Sequence, residues 1–150
     1  MQEKVVFDTG VYIGIFNKGL YKDEVNGFNK VMYLAPPVLH ELWIGAKGRR
    51  EIQHLIRFST TFIKLGRLIT PTPTTQLLIG RVCQRLRSRG LLDPTNPRIY
   101  NDVCIALLAR QIGATVVTTN IKHFEKIYQV IDFKFRKVQY DSVGIDGSKK

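Results

Sequence analysis

The stretch from Asp102 to Thr118 constrains this chain most. Asp102 to Ile112 reads as a helix that is almost wholly apolar, and Gly113 caps it. Ala114 to Thr118 follows at once as a short β-branched strand. A helix with almost no polar face is covered on all sides. A short apolar strand beside it points to a parallel sheet buried on both faces. With 150 residues, the chain is long enough to bury such a core without disulfides or a structural metal.

The rest of the chain repeats this alternation. Lys4 to Asp8 reads as a buried strand punctuated by Thr9-Gly10, and Val11 to Asn17 as a short helix. Val31 to Leu34 is a second strand. Pro36-Pro37 then suits the start of a helix running through Glu41 to about Lys47. Leu55, Phe58, Phe62 and Leu65 fall at helical spacing, and Arg67 to Thr70 is a short strand candidate. Gln76 to Arg89 is the clearest amphipathic helix, with Leu78, Val82 and Leu86 on one face and Arg81, Arg85 and Arg89 along a ridge. Asn120 is placed to cap a helix through about Ile127, and Phe133 to Val138 is a last strand. Strands alternating with helices predict an α/β class with a mostly parallel sheet. Residues 1–140 form one domain in this reading, and 141–150, with Gly144, Gly147 and two terminal lysines, a flexible tail.

Charge narrows the partners. There are 23 Lys+Arg against 12 Asp+Glu, a formal net charge of +11, which favours a polyanion such as nucleic acid, an acidic protein or an anionic surface. No apolar run is long enough to span a membrane, and Glu3, Lys4 and Asp8 interrupt any secretory leader. Cys83 and Cys104 form no CxxC pair and sit in apolar stretches, so they read as free thiols in a reducing, cytoplasmic setting.

In so basic a chain the positions of the acids carry information. Asp8 ends the first strand, Glu41 lies in the helix after the second, and Asp102 starts the buried helix that leads into Thr115–Thr118. Asn120 follows that last strand directly. Open parallel sheets bind ligands outside the carboxyl ends of their strands, so these segments converge on one edge. Carboxylates gathered there repel, and a hard divalent cation is the natural compensation. Such a cation polarises phosphate and activates water, so an acidic pocket on a basic protein predicts a metal-dependent nuclease.

Each residue also has a plainer reading: Asp8 as a strand end, Asp102 and Asn120 as helix caps, Glu41 as a first-turn acid. His40, His54 and His123 share no metal-ligand spacing and read as surface or structural, Asp93 as turn chemistry and Trp43 as core. The arginine ridge is either a solvated face or a phosphate contact.

Together, Val5-Val-Phe-Asp-Thr-Gly-Val-Tyr-Ile13, His40-Glu-Leu-Trp-Ile-Gly-Ala46, Asn101-Asp-Val-Cys-Ile-Ala-Leu-Leu-Ala109 and Gly113-Ala-Thr-Val-Val-Thr-Thr-Asn120 with Phe124 resemble the PIN domain. More narrowly they resemble the VapC-like ribonuclease toxins of prokaryotic toxin–antitoxin pairs, over roughly residues 3 to 138. The resemblance implies a three-layer α/β/α fold and a Mg²⁺ or Mn²⁺ site that cleaves RNA. It also implies a cognate antitoxin and a homodimer. Asp8, Glu41 and Asp102 match the family's first three acids as metal ligands, Asn120 matches a fourth position that is more often Asp, and Thr118 matches a supporting hydroxyl.

The chain departs from the pattern at Asn120, at His123 where a further Asp is common, and at Gly10 where Ser is usual. These departures put a second tightly held metal in doubt. They also motivate an alternative: a catalytically weakened or inactive module that binds RNA or protein. A haloacid-dehalogenase-like phosphatase lacks its second Asp, since Gly10 holds that place, and a receiver domain lacks its acidic pair.

Overall fold

The structure is a computed structural model that describes residues 2–26 and 29–141. The tail expected over 141–150 therefore lies, beyond Asp141, outside the described residues. In chain order the elements are β1 (Glu3–Phe7), α1 (Thr9–Lys18), α2 (Lys22–Val25), β2 (Lys30–Tyr33), α3 (Pro36–Ile44), α4 (Arg49–Lys64), α5 (Pro73–Ser88), α6 (Pro97–Ile112), β3 (Thr115–Thr118), α7 (Lys122–Tyr128) and β4 (Lys134–Lys137).

The strands form an all-parallel sheet in the order β2-β1-β3-β4. From the central pair, β1 steps outward to β2 and β3 steps the other way to β4. Right-handed crossovers therefore put α1 and α2 on one face and α7 on the other. Strand β4 shows both layers. Its Phe135 ring meets Phe124 and Tyr128 of α7, while the next residue, Arg136, reaches Glu24 of α2 on the opposite face. This is the expected α/β/α sandwich. The apolar helix α6 packs on β1, β3 and β4 and is flanked by α3, α5 and α7, so its nearly continuous burial from Asp102 to Ala109 follows. Gly113 ends it at φ 71°, a left-handed conformation that glycine adopts without penalty.

Several boundaries differ from expectation, with identifiable causes. Helix α5 begins at Pro73 and α6 at Pro97, each a first-turn proline preceded by a side-chain cap. Thr72 Oγ1 accepts from the Thr75 N–H at 3.1 Å, and Asn96 Oδ1 from the Arg98 N–H at 2.9 Å. Asp102 therefore stands in the second turn of α6, not at its start. Helix α3 stops at Ile44 because Gly45 caps it. The strand expected at Arg67–Thr70 is only a bridge between Leu34 and Leu68, confined by left-handed Gly66 and by Pro71. Leu65 falls beyond α4 and is 55% exposed, and Trp43 is not core: 36% exposed, it donates its indole N–H to Ser59 Oγ at 3.1 Å. Cys83 and Cys104 are free. Among the described residues, no helix is long and apolar enough to cross a membrane.

The four-residue helix α2 was not anticipated, being too short for periodicity to reveal. It carries Glu24, which is fully buried. Arg136 grips both Glu24 oxygens at 2.8 Å, Lys30 Nζ lies at 2.9 Å from Oε1, and the Gln139 N–H donates at 2.7 Å. Burial alone would raise this carboxyl, but these donors outweigh it and lower its pKa from 4.5 to about 2. A depressed folded pKa contributes stability that is complete above the unfolded value and lost as pH falls toward the folded one. Glu24→Ala should cost about 3 kcal/mol at pH 7, because it leaves Arg136 and Lys30 without their buried partner. Urea titrations should show the wild type losing that advantage between about pH 4.5 and pH 2, while the variant stays flatter; equal stability at pH 7 would refute the assignment.

Candidate active site

The site forms where the strand order reverses, at the carboxyl ends of β1 and β3. Asp8 leaves β1 in an extended conformation and caps α1, its Oδ1 accepting from the Thr9 N–H at 2.8 Å. Its Oδ2 accepts from the Thr118 hydroxyl, at the end of β3, at 2.9 Å. The Thr118 oxygen in turn accepts from the Asn120 N–H at 3.1 Å. One turn into α3, Glu41 accepts from the Thr9 hydroxyl at 2.6 Å. From α6, Asp102 places Oδ2 at 2.7 Å from His123 Nδ1 on α7.

The three carboxylates are close enough to act on one another electrostatically. Burial raises the Asp8 pKa, and the Glu41 charge raises it further; the Thr118 hydroxyl, the Thr9 N–H and the Arg98 charge oppose the shift. Asp102 is pushed from 3.8 up to about 6, by burial first and then by Asp8, with a smaller push from Glu41; His123 resists. Two neighbouring acids with raised pKa values at the mouth of a sheet are the pattern of a functional site more than of a structural ion pair.

The structure thus brings together Asp8, Glu41, Asp102 and Thr118. Asn120 joins only through its backbone, because its side-chain oxygen accepts from the Lys122 N–H at 3.1 Å. It was expected to cap α7, but the N-cap position belongs to Ile121, and Asn120 reaches the helix only through the Lys122 N–H. The arginine ridge is exposed on α5, but Arg89 donates to the Gln129 carbonyl at 3.2 Å, which leaves Arg81 and Arg85 facing solvent. His54 is structural, its ring edge-on to Phe16 at 4.6 Å between centroids.

His123, read as a surface or structural histidine, is half-buried and is the hydrogen-bond partner of Asp102. The sequence signal was its place three residues after Asn120, on the first turn of a helix leaving the same edge. Thr9 was also missed, although a hydroxyl next to Asp8 was there to be read. The lost hydroxyl at Gly10 has a spatial cause. A Cβ at position 10 would stand 2.8 Å from Thr119 Oγ1, so that threonine occupies the space a side chain would need.

A metal fits this donor set in chemistry. All the acidic donors are carboxylate oxygens, the set preferred by Mg²⁺, which takes one or two carboxylates and completes its shell with water and phosphate oxygens. The carboxylates do not form a finished cage. Among the described residues no three His, Cys, Asp or Glu side chains stand together in metal-holding geometry. Internal donors occupy them instead: Thr9 on Glu41, Thr9 and Thr118 on Asp8, His123 on Asp102. Beside Glu41 a cavity of about 470 Å³ opens between α1, α3 and α4, lined by Ile13, Phe16, Leu42, Arg50 and His54 among others.

Comparison with solved structures gives this fold a class. The chain superposes on VapBC2 from Rickettsia felis bound to a DNA fragment from its promoter, with TM-score 0.68 and 25% identity over 91% of this chain and 99% of that one. DNA-bound VapBC from Salmonella typhimurium matches with TM-score 0.68 at 23% identity over 92% and 100%. VapBC-1 from nontypeable Haemophilus influenzae matches with TM-score 0.66 at 19% identity over 89% and 97%. No family model matches the sequence, and no curated protein matches it. The fold is a PIN-like α/β/α fold. Within it, the chain has a VapC-like fold, as its motifs suggested.

The raised Asp102 pKa sets a sign for stability. Between 3.8 and about 6 the folded state holds more protons than the unfolded one, so stability falls as pH rises through that window and stays lower above it. In chelator, Asp102→Asn should therefore be more stable than wild type at pH 7.5, by roughly 1–3 kcal/mol, because the repelling buried charge is gone. The difference should close below about pH 4 in thermal melts. A variant no more stable than wild type at pH 7.5 would mean that the buried Asp102 charge is already compensated.

Proposed function

We propose that this chain is a metal-dependent endoribonuclease, the toxin of a VapBC-type toxin–antitoxin pair. The observation that carries the reading is the meeting of Asp8, Glu41 and Asp102 at the switch point of a VapC-like fold, with Asp8 and Asp102 raised in pKa. A cognate antitoxin is supported by the VapBC complexes among the structural neighbours. A homodimer belongs to the same reading. RNA as substrate is supported by the net charge of +11 around an acidic pocket.

Asp8 and Asp102 would hold Mg²⁺ or Mn²⁺, with Glu41 completing the shell directly or through water. When bound, the cation supplies Lewis-acid polarisation of the phosphate and a more acidic water. The chain's own residues hold the geometry. Thr118 fixes one Asp8 oxygen, Thr9 orients Glu41, and His123 orients Asp102. Asn120 stands at the same edge as a neutral group that can orient water, and Arg81 and Arg85 are available for the RNA backbone.

A weakened or inactive RNA- or protein-binding module is the second reading. It is favoured by Asn120, whose side-chain oxygen is committed to Lys122, and by His123, which holds Asp102. Cleavage of labelled RNA with and without Mn²⁺ separates the two. Losing a ligand's outer-shell partner typically costs 10–100-fold, so removing a ligand should cost more; Asp8→Asn and Asp102→Asn should each lower the rate by roughly a hundredfold or more. Variants that cleave at the wild-type rate would refute the assignment. RNA binding without Mn²⁺-dependent cleavage in the wild type would favour the second reading.

The charge makes its own prediction. RNA affinity should fall linearly in log–log terms with salt, and a flat response would show that the basic surface serves another purpose.

A further inference from the structure

One cation beside the acids is unexplained by the fold. Arg98 lies in the first turn of α6, one helical turn ahead of Asp102, so the two side chains rise from one face. Its charge acts on Asp8. Yet its exposed guanidinium makes no hydrogen bond or ion pair with any described residue. Both Asp8 oxygens are already taken, by Thr9 and Thr118.

Helix stability does not account for this placement. The N-terminus of a helix carries positive partial charge and favours acids, but the first turn of α6 holds none. Arg98 adds a full positive charge to the same end, so the two fields sum toward the mouth of the acidic pocket. An unsatisfied fork of planar donors there matches phosphate oxygens, which arginine binds in pairs. Asn120 and His123 at the same edge bring no negative charge that would repel a phosphate.

Resting on the nuclease reading above, we infer that Arg98 is a substrate-binding residue that grips a non-bridging oxygen of the RNA phosphate presented to Asp8 and Asp102. It offsets the repulsion between that phosphate and the carboxylates, and it sets the register of the strand across the α6 N-terminus. The occupant is RNA; an acidic segment of a partner protein is the competing outcome.

The test is binding of a short labelled single-stranded RNA in chelator, across a salt series, to the full chain and to Arg98→Ala and Arg98→Lys. Arg98→Ala should weaken binding about tenfold at low salt and make the log–log salt slope shallower by about 0.7, the value for one phosphate contact on a single strand. Arg98→Lys should keep the slope, having kept the charge, while losing part of the affinity with the fork. With Mn²⁺, Arg98→Ala should raise KM more than it lowers kcat.

An unchanged affinity and slope in Arg98→Ala would overturn the proposal, even with reduced cleavage, because Arg98 would then act only through Asp8. Unchanged RNA binding with lost antitoxin binding would overturn it in favour of the protein partner. A wild type that binds RNA but never cleaves it would sink the nuclease reading, while the slope still decides the Arg98 contact.

Discussion

The hydrogen bond from the Thr118 hydroxyl to Asp8 joins the carboxyl ends of the two central strands, and the arrangement of the site depends on it. A carboxylate at the end of Val-Val-Phe is costly unless donors meet it. Thr118 meets one oxygen and the Thr9 N–H the other, so Asp8 at once ends β1, caps α1 and spans to β3. Thr9 then passes the connection to Glu41 on α3. Because β1 and β3 lie where the strand order reverses, helices leaving in both directions start from this point. The acids are thus gathered by topology and held by two hydroxyls and the His123 ring, not by one another.

The surface and the pocket carry opposite charge, and neither makes sense alone. An acidic pocket repels a polyanion, while a basic exterior attracts many of them without choice. In the proposed nuclease the two together would concentrate a polyanion near a place where a cation could be held. Arg98 sits on the boundary between these regions, where its charge acts on the Asp8 carboxyl.

The sequence made the fold class legible because periodicity and punctuation agreed over long stretches, above all from Asp102 to Thr118. Where it misled, a proline or a short element was responsible. Pro73 and Pro97 open helices from their first turns, so these helices start before the apolar pattern does. Helix α2 is a single turn and leaves no period to read. Of the site, Asp8, Glu41, Asp102 and Thr118 were readable because each marks an element end or a family position. The partner of His123 was not, and neither was Arg98. His123 meets Asp102 across 21 positions of sequence, and Arg98 lies inside a loop in any reading that begins α6 at Asp102. Long-range contacts of this kind follow only from the crossover that sets α6 beside α7.

Glu24 and Asp102 show how the same chemistry separates structure from function within one chain. Both are buried acids near a cation-forming side chain. Glu24 has two cations and a backbone N–H aimed at it, and its pKa falls to about 2. That satisfaction makes it a fixed tie between α2, β2 and β4 with nothing left to offer a ligand. Asp102 has one histidine and two like-charged neighbours, and its pKa rises to about 6. A folded chain gains nothing from holding an acid in that condition, and a mutation to a neutral residue would relieve it. Protonation or an entering positive charge would relieve it, so Asp102 has the environment of a site residue where Glu24 has that of a structural tie.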